Sequence, residues 1–368
     1  MKSSLWEKIK WLWKTGWNLK RTPYPRSKWG TRVIIASVGT PLLSLGLLTI
    51  EFSFDLPINS ISYIDKESSL LSGVLALLGV LSGMALIYSE WNNTSRSIAK
   101  VLISSLPNTN LEFPEYLLDP AEKEFFREPV VLGMSSSTNE DIKSQIMLYN
   151  AELTANIFNR FIIQDKCRKL YIGGLARIPF LVSYGLLLRN TGIDIQFFDK
   201  SHKEQREWAL LNEEKANLTY HAECENITAN DNGDIAIAVS FTSQVTDDQI
   251  PQALDGHTLF ITPSVTPERN LIKNQENLSE AARFISLKID ELSRQTNVKR
   301  IHLFLSIQAP LALAIGQRYQ EGMHKKWVIH NFNAEKWQYE WGLELSAKGA
   351  KHFNSLELTE VLTQIKVS

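Results

Sequence analysis

Cysteine is scarce in this chain of 368 residues, and the familiar catalytic motifs are missing from it. Its two cysteines, Cys167 and Cys224, lack the spacing of a metal site or a disulfide framework, which favours a reduced, cytosolic body. The sequence contains no GxxxxGKS, GxxxxGKT, HExxH or GxSxG motif. Because these absences exclude the signatures of P-loop NTPases, zincins and α/β-hydrolases, we expect a protein that is not an enzyme and holds no catalytic metal.

Positive charge is concentrated at the N-terminus. Residues 1–32 hold nine Lys or Arg side chains and one acid, Glu7, which leaves 30 basic and 39 acidic groups of the totals of 39 and 40 for the rest of the chain. A body of net charge −9 argues against binding duplex nucleic acid, which needs a basic surface. Within 1–32, Leu, Ile and Trp recur between lysines at helical spacing, which predicts a basic amphipathic helix on an anionic leaflet, with a packed cytosolic helix as the alternative.

Two uncharged segments, 33–50 and 68–89, are each long enough to cross a bilayer core of about 30 Å as a helix. A signal peptide is the competing interpretation of the first, but the long Trp- and Lys-rich segment before it is unlike a short signal-peptide start. We therefore predict a two-helix transmembrane region over 33–89. The basic cluster before the first span places both termini in the cytoplasm by the positive-inside rule.

Gly79 and Gly83 form a GxxxG pair within the second predicted span. Such a pair permits close approach of two helix backbones. It predicts either an interface between copies of the chain or ordinary packing of the second span onto the first.

Two stretches of the C-terminal body repeat one pattern, Lys169–Gly185 and Arg300–Gly316. In both, a basic residue opens a short apolar run, a small or polar loop follows, and a proline begins a helical pattern, with proline and glycine each recurring 131 residues later. This is a strand-loop-helix unit. Two such units predict a pseudo-twofold domain whose helix N-termini face a common ligand, and backbone N–H groups there suit phosphate.

The rest of the body alternates between apolar runs and helical patterns after a proline-containing connector, 90–127. We predict one half over 128–228, a second over 229–335 and a C-terminal extension, 336–368, whose Trp- and Tyr-rich start is a candidate hairpin that closes the sheet. Alternating strands and helices predict parallel α/β architecture. The predicted elements are strands at 130–134, 193–198, 235–239, 257–261 and 327–331 and helices at 139–164 and 278–295.

A family resemblance is carried by His302–Gly316, closing on Trp327–Asn331, and by the strand and loop Ile235–Ser243. These segments resemble the signature of SAVED domains over about residues 125–335, which implies a SAVED domain of two fused CARF-like Rossmannoid halves. With two membrane helices ahead of it, the chain resembles the transmembrane SAVED effectors of CBASS, the bacterial anti-phage systems.

The resemblance implies a function. A cognate nucleotidyltransferase makes a cyclic oligonucleotide, most often a cyclic trinucleotide in this family, and the SAVED domain binds it. The effector then forms a homo-oligomer and disrupts the lipid bilayer of the inner membrane, which causes abortive infection. The SAVED domain is expected in the cytoplasm. A membrane-anchored nucleotide-processing enzyme and a scaffold without a signalling ligand remain alternatives.

A net-acidic domain must supply local donors to a ligand that carries one phosphate charge per nucleotide. Hydroxyl-rich turns after two predicted strands are candidates, although capping of the next helix explains them equally well. Arg177 is a candidate for phosphate pairing or base stacking, with a surface salt bridge as its alternative role. Gln308, at the equivalent position 131 residues later, could read a base edge, and Asp199, Lys200 and Trp208 are weaker candidates. The hydroxyl candidates are Ser135, Ser136, Ser137, Thr138, Ser240, Thr242 and Ser243.

Overall fold

The computed structural model divides the chain into two compact units, Met1–Arg96 and Ser97–Ser368. We describe each unit by itself. The residues described are 25–44, 69–95, 97–104, 112–120, 122, 126, 129–133, 142–155, 167–189, 192–201, 207–224, 226–346, 348–354 and 358.

The N-terminal unit contains two helices, α1 (Pro25–Ser44) and α2 (Ser69–Ser95). They coincide with most of the two uncharged segments, whose residues 45–50 and 68 lie outside the described part of the chain, as do residues 1–24. Among the described residues, no helix combines the length and the apolar character that crossing a bilayer requires. The two membrane spans therefore stay predictions.

Helices α1 and α2 pack closely through glycines. A Cβ atom at Gly83 would clash with the carbonyl of Gly30 and with Ile34, and one at Gly79 would clash with Ser37. The GxxxG pair is therefore used within the chain, for packing onto α1. This is the second of the two roles that the sequence left open.

The first sheet of the C-terminal unit has five strands in the order β2-β1-β3-β4-β5. The first four are parallel in their pairings, and β5 is antiparallel to β4. The elements of this half are β1 (Ile98–Ser104), β2 (Val130–Gly133), α3 (Ile142–Ala155), β3 (Lys169–Leu175), α4 (Ile178–Leu187), β4 (Asp194–Lys200) and β5 (Trp208–Leu210).

The second sheet has seven strands in the order β12-β11-β10-β9-β7-β8-β6. The pairings among β10, β9, β7 and β8 are parallel, whereas β6, β11 and β12 pair in antiparallel fashion. The elements are β6 (Tyr220–Glu223), β7 (Asp234–Ser240), β8 (Thr258–Pro263), α5 (Gln275–Ser293), β9 (Arg300–Ser306), α6 (Ala309–Gln317), β10 (Lys326–Asn333), β11 (Gln338–Ser346) and β12 (Gly349–Asn354). The Trp- and Tyr-rich start of the C-terminal extension, predicted as a hairpin that closes the sheet, is instead the single strand β11, which pairs with β10 on one side and with β12 on the other.

The two sheets share one topology, since β2-β1-β3-β4-β5 matches β8-β7-β9-β10-β11. This confirms the predicted α/β class with two similar halves. The sequence pattern made the strand predicted at 130–134 the counterpart of the strand at 235–239, and this was wrong. The counterpart of β7 is β1, because Ile98 lies beside Lys169 in β3 just as Asp234 lies beside Arg300 in β9. The segment 90–127, predicted as a connector, thus contains an interior strand, and β2 is an edge strand.

Sequence analysis missed β1 because a lysine stands in its middle. Lys100 is buried, and its Nζ lies 2.7 Å from the Glu115 carboxylate. Glu115 belongs to a short 3₁₀ helix (Glu115–Leu117) on the outer face of the first sheet, where Phe113 and Leu118 pack against Phe198 and its neighbours. A carboxylate supplied from outside the strand therefore lets the charged side chain stay buried.

The main core lies between the two sheets and contains α4 and α6. Both helices are apolar and buried along nearly their whole length. A Cβ atom at Gly185 of α4 would overlap the carbonyl of Leu313 in α6, and one at Gly316 of α6 would overlap the carbonyl of Val182 in α4. These contacts are related by the same 131-residue offset, so the helices cross about a pseudo-twofold axis with their backbones in contact.

The outer face of the second sheet buries a polar chain. Arg300 donates from Nε and Nη2 to the two carboxylate oxygens of Asp234, at 2.7 and 3.0 Å. Nε2 of His302 lies 3.4 Å from Asp234, and Nδ1 of His302 lies 2.9 Å from Nε2 of His330. Phe304 stacks on His330 at 4.3 Å between ring centroids. The contacts suit two neutral imidazoles, each of which carries one N–H and directs it to the next group in the series from His330 through His302 to Asp234.

The pKa values of these groups follow from burial and contact. Burial lowers the pKa of His302, although its hydrogen bond with Asp234 opposes the shift. Burial lowers the pKa of His330 further, and so does the repulsion that two adjacent imidazolium rings would suffer. Burial would raise the pKa of Asp234, but hydrogen bonds from His302 and Arg300 outweigh it and lower this pKa to about 2. The native state thus disfavours imidazolium here.

The edge of the second sheet at β12 is covered by a side chain from the first half. Asn150 of α3 donates from Nδ2 to the carbonyl of Ala350 at 3.0 Å and accepts from the Ala350 N–H at 2.8 Å. Gly349 beside it has φ +140° and approaches the Asn150 amide too closely for a Cβ atom. The amide thus takes the hydrogen bonds that a neighbouring strand would make.

Replacing Gly316 with alanine should weaken the helix crossing. The added methyl group meets backbone of α4, so we expect the free energy of unfolding to fall by about 1–3 kcal/mol in urea denaturation of the full chain. Gly192→Ala is the matched control, because a Cβ atom there has nothing within 4 Å among the described residues. Equal stability of the two variants would contradict the role given to the crossing.

Acid should destabilise the protein through the buried histidines. Unfolding lets His302 and His330 bind protons near the ordinary pKa of about 6.5, so stability is retained above that pH and lost below it. We expect the free energy of unfolding to fall between pH 7 and pH 5. Each histidine contributes at most about 1.4 kcal/mol for every unit by which folding lowers its pKa. His330→Gln should flatten this slope, whereas His221→Gln, at an exposed position of β6, should leave it unchanged.

Candidate functional site

A cleft opens where the carboxyl ends of the two sheets meet. It encloses a cavity of about 280 Å³. Open α/β sheets bind ligands outside the carboxyl ends of their strands, and here both halves contribute to one cleft. The lining comprises Gly174 and Leu175 at the end of β3, Ala176, Ile178 and Leu181 after it, Asp199 and Lys200 at the end of β4, Thr242 after β7, Arg269 and Asn270 from the loop after β8, and Ile307, Gln308 and Ala309 after β9.

The N-termini of α4 and α6 both reach this cleft. Their first residues, Ile178 and Ala309, line it, and Arg177 and Gln308 are the equivalent N-cap residues with extended backbones. Within the described residues, neither N-cap side chain bonds back to its own helix. The paired helix dipoles therefore direct partial positive charge into the cleft, as the repeated motif predicted.

Two cationic side chains line the cleft from different halves. Lys200 ends β4 in the first half and lies over the Trp208 ring, 5.6 Å from its centroid. Arg269 is exposed in the loop after β8 in the second half. Sequence analysis ranked Lys200 as a weak candidate and missed Arg269, because a loop arginine carries no motif that separates it from other surface charge.

Three hydroxyl groups cluster beside the cleft. Oγ of Ser306 lies 2.9 Å from Oγ1 of Thr242 and 2.8 Å from Oγ of Ser243, and it accepts the Ser243 N–H at 3.0 Å. Thr242 and Ser243 were predicted, whereas Ser306, which joins them, was not. Its place at the end of β9, directly before the loop of the repeat, is the signal that could have identified it.

Ser240 has a structural position. It is buried, and its hydroxyl accepts the Val245 N–H at 2.9 Å, which closes the turn after β7. Of the three candidates after this strand, Thr242 alone lines the cavity, with Ser243 beside it.

Gln308 links the two halves. Its Nε2 donates to Oδ2 of Asp199 at 2.9 Å and to the carbonyl of Ile272 at 3.1 Å, while its Oε1 accepts the Ile272 N–H at 2.7 Å. Both amide hydrogens are therefore engaged inside the protein. Reading a base edge would require the side chain to give up one of these bonds, so the contacts favour a positioning role for this residue.

Arg177 turns toward α3. It is half-buried, does not line the cavity, and donates from Nη1 to Oε1 of Gln145 at 3.2 Å. The four predicted hydroxyl residues 135–138 lie outside the described part of the chain. Within the described ranges, no group of three or more His, Cys, Asp or Glu side chains is arranged to hold a metal ion.

Comparison with protein families matches residues 155–345 to SAVED, the "SMODS-associated and fused to various effectors sensor domain". The match covers more than half of the chain. The protein belongs to the SAVED family. By the family's own description this part of the chain is a sensor domain. Whether the whole protein lacks catalytic activity stays a prediction.

Solved structures with similarity to this SAVED protein include Cap4 SAVED/CARF-domain containing receptors. The Acinetobacter baumannii receptor with the cyclic trinucleotide 2'3'3'-cAAA matches at 13% identity and a TM-score of 0.42 over 76% of this chain and 61% of its own. Its form with 3'3'3'-cAAA gives the same values. The Moraxella osloensis receptor matches at 14% identity and 0.39 over 74% and 59%. The SAVED protein thus spans about three fifths of these receptors' length, and a search of curated proteins gave no match.

Replacing Gln308 with leucine should destabilise the cleft of the SAVED domain. The buried Ile272 N–H and carbonyl and the Asp199 carboxylate each lose a partner, so we expect a loss of about 1–3 kcal/mol in the free energy of unfolding. Gln320→Leu is the matched control at an exposed position, where the change should stay within about 0.5 kcal/mol. A Gln308→Leu variant as stable as the parent in urea would overturn this assignment.

Proposed function

We propose that the cleft binds a cyclic oligonucleotide, with a cyclic trinucleotide as the first candidate, made by a cognate nucleotidyltransferase. The observation that carries this proposal is the convergence of two helix N-termini, cationic side chains and hydroxyl groups on one cleft that both halves of the domain line. A ring of repeated phosphodiesters suits such a site, because each half offers donors to one part of the ring. The Acinetobacter baumannii Cap4 receptor is described with two cyclic trinucleotides, 2'3'3'-cAAA and 3'3'3'-cAAA.

Charge in the cleft supports an anionic ligand. Lys200 and Arg269 line the cleft from two sides, and the hydroxyls of Thr242, Ser243 and Ser306 can rotate to donate to phosphate oxygens. The acid of the cleft, Asp199, is hydrogen-bonded by the Gln308 amide and by the N–H of Lys200, which reduces its repulsion of phosphate.

The size of the cavity bears on the pose. At about 280 Å³ it falls just below the range of about 300–1,000 Å³ that is usual for small-molecule sites. We therefore expect part of the ring, on the order of one nucleotide, to be enclosed and the rest to lie over the open side of the cleft.

We further propose that ligand binding promotes assembly of several copies, and that their N-terminal units then disrupt the bacterial inner membrane and end the infection by killing the cell. The uncharged segments 33–50 and 68–89, the basic residues before them and the exposed apolar side chains of α2 support membrane contact. For ligand binding to promote assembly, the ligand must bind the assembled state more tightly than the separate copies. A ligand with equal affinity for both states would not change the fraction that is assembled.

The proposal is tested by measuring ligand binding to the full chain in vesicles of phosphatidylethanolamine and phosphatidylglycerol. Titration calorimetry with 3'3'3'-cAAA and with 2'3'3'-cAAA gives the affinities. We expect Arg269→Gln to weaken binding by about 10–100-fold, because a charge-assisted hydrogen bond to phosphate is lost. Arg283→Gln, at an exposed position of α5 away from the cleft, is the matched control. Release of a trapped dye on ligand addition measures the membrane step.

Each result separates the alternatives. Binding with dye release supports the whole proposal, and binding without release keeps the sensor but removes the membrane step. Hydrolysis of the ligand would identify a nucleotide-processing enzyme. No affinity for any cyclic di-, tri- or tetranucleotide would favour a scaffold.

A further inference from the structure

The two helices of the N-terminal unit run antiparallel, and polar contacts join the start of α1 to the end of α2. Arg26 donates from Nη1 to Oγ of Ser89 at 3.0 Å, and the Ser27 N–H donates to the carboxylate of Glu90. These residues therefore lie at one end of the helix pair, which we call the polar end. It comprises residues 25–32 of α1 and 88–95 of α2.

The polar end contains every charged and every aromatic side chain of the two helices. The rest of the helices, residues 33–44 and 69–87, has neither kind. The large side chains that are exposed there are apolar and occur on both helices. They are Ile35, Val74, Leu77, Leu78, Leu81 and Met84. Both helices thus change from polar and aromatic to apolar in the same direction.

Three aromatic rings of the polar end are exposed. Trp29 is 40% exposed, and Tyr88 and Trp91 are each 64% exposed. We call these three residues the aromatic belt. Gly30 lies against Ile87, so their chain neighbours Trp29 and Tyr88 share a level along the helix pair. Trp and Tyr concentrate where water meets lipid, because each ring has an apolar body and one polar group.

The basic side chains of the polar end stand where the helix itself disfavours them. Arg26 and Lys28 lie in the first turn of α1, which has no acid and carries the positive end of the helix dipole. Lys28 and Arg32 are both exposed and four residues apart, so they repel each other on one face. Glu90 of α2 brings one carboxylate to this end. Helix stability does not account for these cations, whereas an anionic surface beside them would stabilise them.

We propose that the polar end lies at the boundary between the hydrocarbon and the headgroups of an anionic membrane. The aromatic belt sits at the boundary, and Lys28 and Arg32 bind lipid phosphates. A lipid surface fits better than a protein partner, because the change in character falls at one level on both helices, as a plane requires. The inference rests on the membrane step of the proposed function and adds a depth, with residues 33–44 and 69–87 on the hydrocarbon side.

Spin labelling tests the depth on the full chain in vesicles of phosphatidylethanolamine and phosphatidylglycerol. The exposed Cys224 is first replaced by serine, while the buried Cys167 stays. Single nitroxides are attached through Leu77→Cys, Met84→Cys and Trp91→Cys, three exposed positions on one side of α2, each about 10 Å from the next along the axis. Trp91→Cys leaves the other two residues of the belt in place.

The collision partners of the nitroxides report the boundary. Oxygen dissolves in hydrocarbon, so collisions with oxygen should dominate at positions 77 and 84. Collisions with a water-soluble nickel complex should dominate at 91, with a change of at least about fivefold in the ratio between 84 and 91. Dominance of nickel at all three positions would overturn the inference, and so would dominance of oxygen at 91.

Lipid selectivity tests the role of the cations without any label on the protein. The relative association of spin-labelled phosphatidylglycerol and phosphatidylcholine is measured with the full chain in vesicles. Lys28→Gln combined with Arg32→Gln should lower the preference for phosphatidylglycerol by at least about threefold. Arg294→Gln combined with Lys299→Gln is the matched control, which removes exposed cations from the C-terminal unit. An equal preference in the two double variants would overturn headgroup binding by Lys28 and Arg32.

The failures of the two proposals are distinguishable, because depth and lipid preference are measured without nucleotide. The expected depth pattern in a protein without nucleotide affinity would support the boundary and remove the proposed ligand. Nucleotide affinity with nickel dominant at 77, 84 and 91 would remove the boundary together with the membrane step and leave the sensor intact.

Discussion

The contact between the backbones of α4 and α6 is the constraint on which the C-terminal unit depends. Gly185 and Gly316 let each helix touch a carbonyl of the other, so the helices meet with no side chain between them. Since each helix follows directly from a central strand, this crossing fixes how the two sheets face each other. It also sets the spacing of the two helix N-termini, and hence the shape of the cleft. Gly185 and Gly316 therefore determine how α4 and α6 are placed relative to each other along their whole length.

The local sequence pattern predicted the two strand-loop-helix units correctly. It failed where residues distant in sequence decide whether a segment forms a strand. The strand-loop-helix units were recognisable because each is specified by its own apolar run, proline and glycine. Strand β1 was missed because Lys100 interrupts its apolar run, and the carboxylate that compensates it, Glu115, comes from a different segment. That omission also displaced the internal alignment by one strand. The membrane region, by contrast, rests on hydropathy alone.

The candidate site divides in the same way. Thr242 and Ser243 were predictable, since hydroxyl groups after an interior strand point to the carboxyl edge of a sheet. The engagement of Gln308 was not, because Asp199 and Ile272 lie 109 and 36 residues away from it in sequence. Arg269 belongs to an irregular loop whose course depends on its packing, so the spacing of residues in the sequence does not predict that Arg269 lines the cleft. Long-range contacts thus define which polar groups are left to meet a ligand.

The Asn150 side chain covers part of the edge of β12 and so makes the two edges of the second sheet different. At one end of the second sheet an amide from the first half takes the outward N–H and carbonyl of Ala350, which disfavours the addition of a further strand there. An open sheet edge is a site of edge-to-edge aggregation, and the Asn150 amide occupies the backbone hydrogen-bonding groups of Ala350 on this edge. Because this amide comes from the other half, the end is protected only once both halves have folded together.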